Sequence, residues 1–265
     1  FLQAEDGIRD VERSRGLGDV YKRQEKPMAS ASKEAEELTR IAKGKGTTLM
    51  VAHTFMYNTA FRKMKELVKN GEIGEVVYLN FQRRGLGPIR KDVNSLWDLA
   101  PHDISMLIDI VGMPKRVIAK GRGYIKSDRE DVVFVIAEFK DGTMANIHTS
   151  WLDPYKIRTA TIVGSKKMVV FDDVSNEKIR VFDKGVEFDN ASSYGEFKDV
   201  VRDGDIIIPK IPGGEPLKIE CEHFMECIND SKPPISDGEN GTDVVKFLEA
   251  AQRSLGTGEW ETVGE

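Results

Sequence analysis

Between residues 76 and 183 the chain carries seven short segments rich in Val, Ile and Phe, most of them alternating apolar with polar. They are 76–81, 117–122, 132–139, 143–151, 158–163, 168–172 and 178–183, punctuated by turn signals such as Asp141-Gly142 and Gly164-Ser165. Alternation means one buried face and one solvated face, and the close spacing predicts hairpins. This region therefore has to be a mostly antiparallel sheet. One long helix interrupts the series, expected from about Pro101 to Val111 and ended by Gly112. Two further helices are expected at 217–229 and 242–255, with the Gly-, Asp- and Pro-rich stretch 184–216 as a long loop or arm.

Upstream the period is different. Ser30 or Ser32 can cap a helix whose stripe is Ala35, Leu38, Ile41 and Ala42, ended by Gly44 and Gly46. Residues 47–52 (TTLMVA) read as a short buried strand, 53–58 as a loop, and 59–69 as a second helix stopping at Asn70-Gly71. Helix, buried strand, helix in that order resembles the closing segment of an α/β dinucleotide-binding domain. The expected fold class is α+β: the C-terminal remnant of a Rossmann domain over 25–74, then an open-sheet domain over 75–265. Residues 1–24 show neither helical nor strand period and no apolar signal-peptide core, and they resemble translated sequencing-adapter sequence. They are expected to be non-native or disordered, outside the fold.

Composition narrows the function classes. A formal net charge of −5 gives no basic footprint for nucleic acid, and no run of apolar residues is long enough to span a membrane. Two cysteines suit a reducing compartment, so a cytoplasmic location is expected. On a helix, Cys221, His223 and Cys227 point in diverging directions, so no metal site is expected, and Cys221 joins Phe224, Met225 and Ile228 on a core stripe.

Three residues carry the candidate chemistry. Lys26 stands in Glu25-Lys26-Pro27, where the proline biases it toward extended backbone at a strand end. Asp98 and His102, in WDLAPHD, are spaced i, i+4, which puts them on one helix face within reach of a carboxylate–imidazole hydrogen bond. Such a carboxylate would select the histidine tautomer and raise its basicity, as a general base requires. Lysine beside them would polarise a carbonyl or share the proton. His53 and Asn58 follow the buried strand, on the side of an α/β sheet that faces a ligand crevice. Arg83, Arg84, Arg90 and Lys91 precede the Asp98/His102 helix and offer anion contacts; Trp97 offers a sugar-stacking ring, and Tyr155, Lys156 and Arg158 are weaker substrate contacts. His148 and His223 have no constellation around them and read as structural.

EKPMASASKEAEELTRIAKGKG, followed by a strand and HTFMYNTAFRKMKELVKNGEIGEV, resembles the Gfo/Idh/MocA oxidoreductase family, with E-K-P at Glu25–Pro27 and D-x-x-x-H at Asp98–His102. The resemblance implies NAD or NADP as cofactor, contacted by Glu25, Lys26, Pro27, His53 and Asn58. It also implies Lys26, Asp98 and His102 as the catalytic set, and a homo-oligomer, dimer or tetramer, formed through the sheet domain. Arg84, Trp97 and Arg158 are the expected substrate contacts. The implied chemistry is hydride transfer between a sugar or nucleotide-sugar hydroxyl carbon and nicotinamide, and SWLDPYKIR, GSKKMVVFDD and NEKIRVFDKGV are similar to a UDP-N-acetylglucosamine 3-dehydrogenase branch. Which of Lys26 and His102 takes the proton stays open. One departure matters: there is no G-x-G-x-x-G turn, since Gly16-Leu17-Gly18 and Gly85-Leu86-Gly87 lack the third glycine and the following helix. The chain is accordingly expected to be an inactive fragment. An NAD-dependent glycosidase and a non-catalytic dinucleotide-sensing regulator or scaffold are the competing readings.

Overall fold

Strand β3 (Val76–Arg84) sets the plan of the molecule. Its odd-numbered residues Leu79, Phe81 and Arg83 are buried, while the even-numbered ones face the other way. In the computed structural model, which describes residues 21–125, 128–187 and 200–264, the remaining elements are arranged around it. The strands are β1 (Tyr21–Gln24), β2 (Thr48–Val51), β4 (Arg116–Arg122), β5 (Val132–Glu138), β6 (Met144–Ser150), β7 (Ile157–Gly164), β8 (Met168–Asp172), β9 (Ile179–Glu187), β10 (Val200–Ile207) and β11 (Glu261–Thr262). The helices are α1 (Ser32–Lys45), α2 (Thr59–Lys69), α3 (Ser95–Val111), α4 (Pro216–Asp230) and α5 (Gly238–Thr257).

Nine strands form one sheet in the order β10-β9-β8-β7-β3-β6-β5-β4-β11. The β3–β6 pair is parallel and the other pairs are antiparallel. Helices α2, α3 and α5 cover one face. Phe61, Met64, Leu96, Ile104, Leu107, Phe247 and Leu248 pack there against Leu79, Phe81, Val135, Ile147, Ile162 and Phe171 in a single core. On the opposite face Tyr78, Phe134, Ile136 and Met144 are exposed.

The α/β part is a two-stranded parallel sheet, β1–β2, flanked by α1 and the start of α5. Here the expectation for residues 1–24 needs correcting at its end: Tyr21–Gln24 lie within the fold, in register with Thr48–Val51. The reason is the hydrogen-bonding demand of a buried strand. The other side of β2 is closed by Ser236 and Asp237, and β1 satisfies the remaining edge. Gly16-Leu17-Gly18 lies outside the described residues. Close contact fixes the seat of α5: a Cβ on Gly241 would stand 2.6 Å from Val51 Cγ2 and 2.8 Å from Met28 Sδ.

Two more boundaries move. Helix α3 begins at Ser95, well before Pro101, because the Asn94 side chain caps it by accepting from Trp97 N. Residues 184–216 are not all loop: β9 continues to Glu187 and β10 pairs with it antiparallel. Cys221 is exposed and Met225 is 56% exposed, so the core stripe expected for them is wrong; α4 instead buries Glu220 and Cys227.

Candidate active site

The cleft lies where the ends of β1 and β2 meet α3 and the C-terminal ends of β3 and the start of β7. Lys26 comes two residues after the end of β1, ahead of a cis Lys26–Pro27 bond, and its ammonium donates to the Asp98 carbonyl oxygen at 2.5 Å. The Asp98 carboxylate stands 3.8 Å from the same nitrogen. Burial lowers the lysine's proton affinity, with Arg83 and Arg90 adding to the effect and Asp98 opposing it.

Asp98 and His102 share the first turns of α3, as their spacing predicts, but the hydrogen bond expected between them is not formed. The Asp98 oxygens are taken by Trp151 Nε1 at 3.1 Å and by Arg90 at 3.4 Å, besides Lys26. Asp98 orients the lysine, not the histidine. His102 Nδ1 is buried without a hydrogen-bond partner among the described residues. Its ring instead packs on Phe55 with centroids 5.1 Å apart. Burial first, then the charges of Arg83, Lys26 and Arg158, push its pKa well below the ordinary histidine value. The imidazole is therefore held neutral, with a lone pair to offer, while the same burial and cations make it a weaker base than a free histidine.

Phe55 sits on the 3-10 turn Thr54–Tyr57 that follows β2, between two arginines. The Arg83 guanidinium lies 4.1 Å from its ring centroid and Arg158 lies at 5.8 Å. These arginines are register partners across β3 and β7. Arg83 is buried and held by both Asp103 oxygens, at 2.7 and 2.9 Å. Arg158 is looser, 3.5 Å from Asp173. His53 is fully buried, with Nδ1 2.8 Å from Asn240 Oδ1, and it lies close enough to Lys26 and His102 to interact electrostatically.

The other expected site residues sit elsewhere. Arg84 is on the face of β3 away from the cleft, paired with Asp153 at 2.5 Å, so Arg83 is the arginine that reaches the site. The signal was the strand's two-residue period, which separates 83 from 84. Trp97 is partly buried, packs against the core between α3 and α5, and donates to Gln252 at 3.1 Å. Asn58 is occupied as the N-cap of α2, accepting from Ala60 and Phe61, and donates to Asp173. Glu25 is exposed and paired with Arg23. Phe55, Asp103, Trp151 and Asn240 were missed. No motif marks them, and only the fold brings them together.

Residues 61–170 match the GFO/IDH/MocA C-terminal domain family. Over that stretch the chain is a Gfo/Idh/MocA C-terminal domain. Among curated relatives, the chain is similar to the myo-inositol 2-dehydrogenase of Thermotoga maritima, 25% identical over 244 residues, covering 87% of this chain and 69% of that protein. Among solved structures, UDP-N-acetylglucosamine 3-dehydrogenase GnnA from Acidithiobacillus ferrooxidans superposes with a TM-score of 0.80 at 20% identity, over 97% of this chain and 78% of that one. A levoglucosan dehydrogenase in complex with NADH and L-sorbose gives 0.77 at 18% identity, over 99% and 77%. The structural matches establish a shared fold.

Proposed function

We infer that this cleft interconverts a secondary hydroxyl and a ketone on a sugar, nucleotide sugar or cyclitol, with NAD or NADP as the hydride partner. The observation that carries the reading is the meeting of a desolvated lysine and a neutral histidine from opposite parts of the fold, Lys26 after β1 and His102 on α3. Oxidising a carbinol requires loss of the hydroxyl proton together with the hydride, so the site needs a base and a group that stabilises developing negative charge on oxygen. His102 is the base. Lys26, anchored by the Asp98 carbonyl and carboxylate, steadies the alkoxide.

The residues present fit the nicotinamide end of the cofactor. His53 Nε2 is buried without a partner among the described residues, beside the Lys26 ammonium, and a carboxamide or hydroxyl suits that pair. Glu25, Lys26 and Pro27 complete the turn that would hold it. When bound, NAD(P) supplies the carbon that takes the hydride. No residue is assigned to the pyrophosphate, because the sequence has no G-x-G-x-x-G turn.

On the substrate side, Arg158 is only partly buried and loosely paired, which suits it to phosphate oxygens of a nucleotide sugar, whereas Arg90 is already held by Asp92 and Asp98. The exposed Tyr78, Phe134, Ile136 and Met144 support self-association through the open sheet face. No described helix is long and apolar enough to cross a membrane; cytoplasmic location belongs to the same proposal.

The test is nicotinamide reduction by the purified chain with NAD or NADP and either myo-inositol or UDP-N-acetylglucosamine. Turnover that vanishes in Lys26→Ala supports the reading, and the productive substrate separates cyclitol from nucleotide sugar. Turnover unchanged in Lys26→Ala overturns it. Leaving-group release with no net reduction reassigns the site to a glycosidase.

A further inference from the structure

His53 is the most deeply buried titratable group in the cleft, and its role is not set by Lys26 or His102. It follows β2 and Ala52, tied by backbone bonds from its own N–H to Val51 O and from Met56 N to its carbonyl. Its ring therefore has little freedom. Nδ1 faces Asn240 Oδ1 at 2.8 Å. Asn240 is itself fixed: its backbone N–H donates to the capping Asp237 carboxylate, and the next residue, Gly241, is wedged against Val51 and Met28. An amide oxygen can only accept, so Nδ1 must carry the proton and Nε2 must present a lone pair. That nitrogen is buried without a partner among the described residues. Burial, and to a smaller degree the Lys26 charge, bring the ring's pKa down to about 4, with the Asn240 bond opposing, so the lone pair is not lost to protonation near neutrality.

We propose that Asn240 is a positioning residue that locks His53 in the Nδ1–H tautomer, making Nε2 a dedicated acceptor for a neutral donor on the ligand. The proposal rests on the dehydrogenase reading above and deepens it. The ligand chemistry is an O–H or an amide N–H. An anion is excluded at this point, because Nε2 offers it no hydrogen. Two sources supply such a donor, a polyol hydroxyl and the carboxamide of nicotinamide.

The experiment is long-range ¹H–¹⁵N NMR on the full chain. With four histidines in the sequence, His53 is assigned by the signal lost in His53→Gln. The expected spectrum shows a protonated Nδ1 and an unprotonated Nε2. Asn240→Asp, which keeps an acceptor at the same place, should preserve that tautomer, and Asn240→Leu should give a mixture. A wild-type ring protonated at Nε2 overturns the proposal, as does Asn240→Leu leaving the tautomer unchanged.

Titration with nicotinamide mononucleotide and, separately, with myo-inositol then distinguishes the sources. A shift of the His53 Nε2 signal with only one probe identifies the donor. Loss of the His53 acceptor in a His53→Leu variant should weaken that probe by about ten- to a hundredfold, the usual range for one buried hydrogen bond. If the probes move His102 but not His53, the inference about His53 fails and the dehydrogenase reading stands. If they move neither histidine, the inference about His53 fails, and the dehydrogenase reading is decided by the turnover test above.

Discussion

The two faces of the nine-stranded sheet are built from alternate residues of the same strands, yet they do different work. On the helix-covered face Arg83 is buried, paired with both oxygens of Asp103 and stacked on Phe55 beside His102. One residue on, Arg84 points to the open face and pairs with Asp153 at its edge. That open face exposes Tyr78, Phe134, Ile136 and Met144, with His148 stacked on Phe134 at 4.1 Å. The covered face thus couples stability to chemistry, because the groups that hold the core also tune the histidine. The open face stands away from Lys26, His53 and His102.

Substitutions that separate these faces give measurable contrasts. The largest effect expected is on the covered face: Asp103→Ala strands the buried Arg83 charge and should cost about 3–5 kcal/mol in denaturant unfolding. The matching change at the open face, Asp153→Ala, should cost about 1 kcal/mol or less, since that pair is partly solvated. Equal losses would erase the distinction between the faces. His102→Ala should lower turnover by about 10²–10⁴ with little change in unfolding midpoint, and unchanged turnover would remove His102 from the chemistry.

Acid should act on the covered side as well. The His53 pKa is brought down to about 4 in the folded chain against 6.5 for an ordinary histidine. Between these values the unfolded chain binds more protons, so stability falls as pH is lowered from about 6.5 toward 4. This histidine alone contributes about 3 kcal/mol, and His102 adds in the same direction. His53→Gln should flatten that part of the pH–stability curve; an unaltered slope would mean that the ring is not held neutral. The smallest effect belongs to Ile136→Thr on the open face, within about 0.5 kcal/mol by chemical unfolding. Its informative readout is sedimentation, where loss of a dimer present in the parent chain would locate self-association on that face. An unchanged oligomer would remove it from there.

How much of this was legible in the sequence follows the same division. The strands were readable because a half-buried sheet imposes a two-residue period on side-chain polarity, and β8 was found to the residue. The start of α3 was not, because Pro101 looked like a boundary whereas the Asn94 cap, a single side-chain bond, decided it. At the site, spacing correctly placed Asp98 and His102 on one helix, but spacing says nothing about competitors. Trp151, Arg90 and Lys26 come from distant segments and take the carboxylate that a local reading gives to the histidine. Local sequence is silent on Trp97 for a related reason: an indole beside a helix start reads the same whatever it meets, and here its N–H meets Gln252 on α5.

The position of β3 has a further consequence, for how the chain folds. β6 and β7 are consecutive in sequence and would ordinarily close into a hairpin, but β3 lies between them and pairs with both, Arg84 opposite Ser150 on one side and Ile157 on the other. The central strand must therefore be inserted by contacts far apart along the chain, after a large loop-closure cost, and not by zipping from a turn. Until it arrives, β6 and β7 present two unpaired inner edges to each other, and the wrong hairpin is the nearest alternative. Assembly of this sheet is a race between the insertion of β3 and the premature closure of its neighbours.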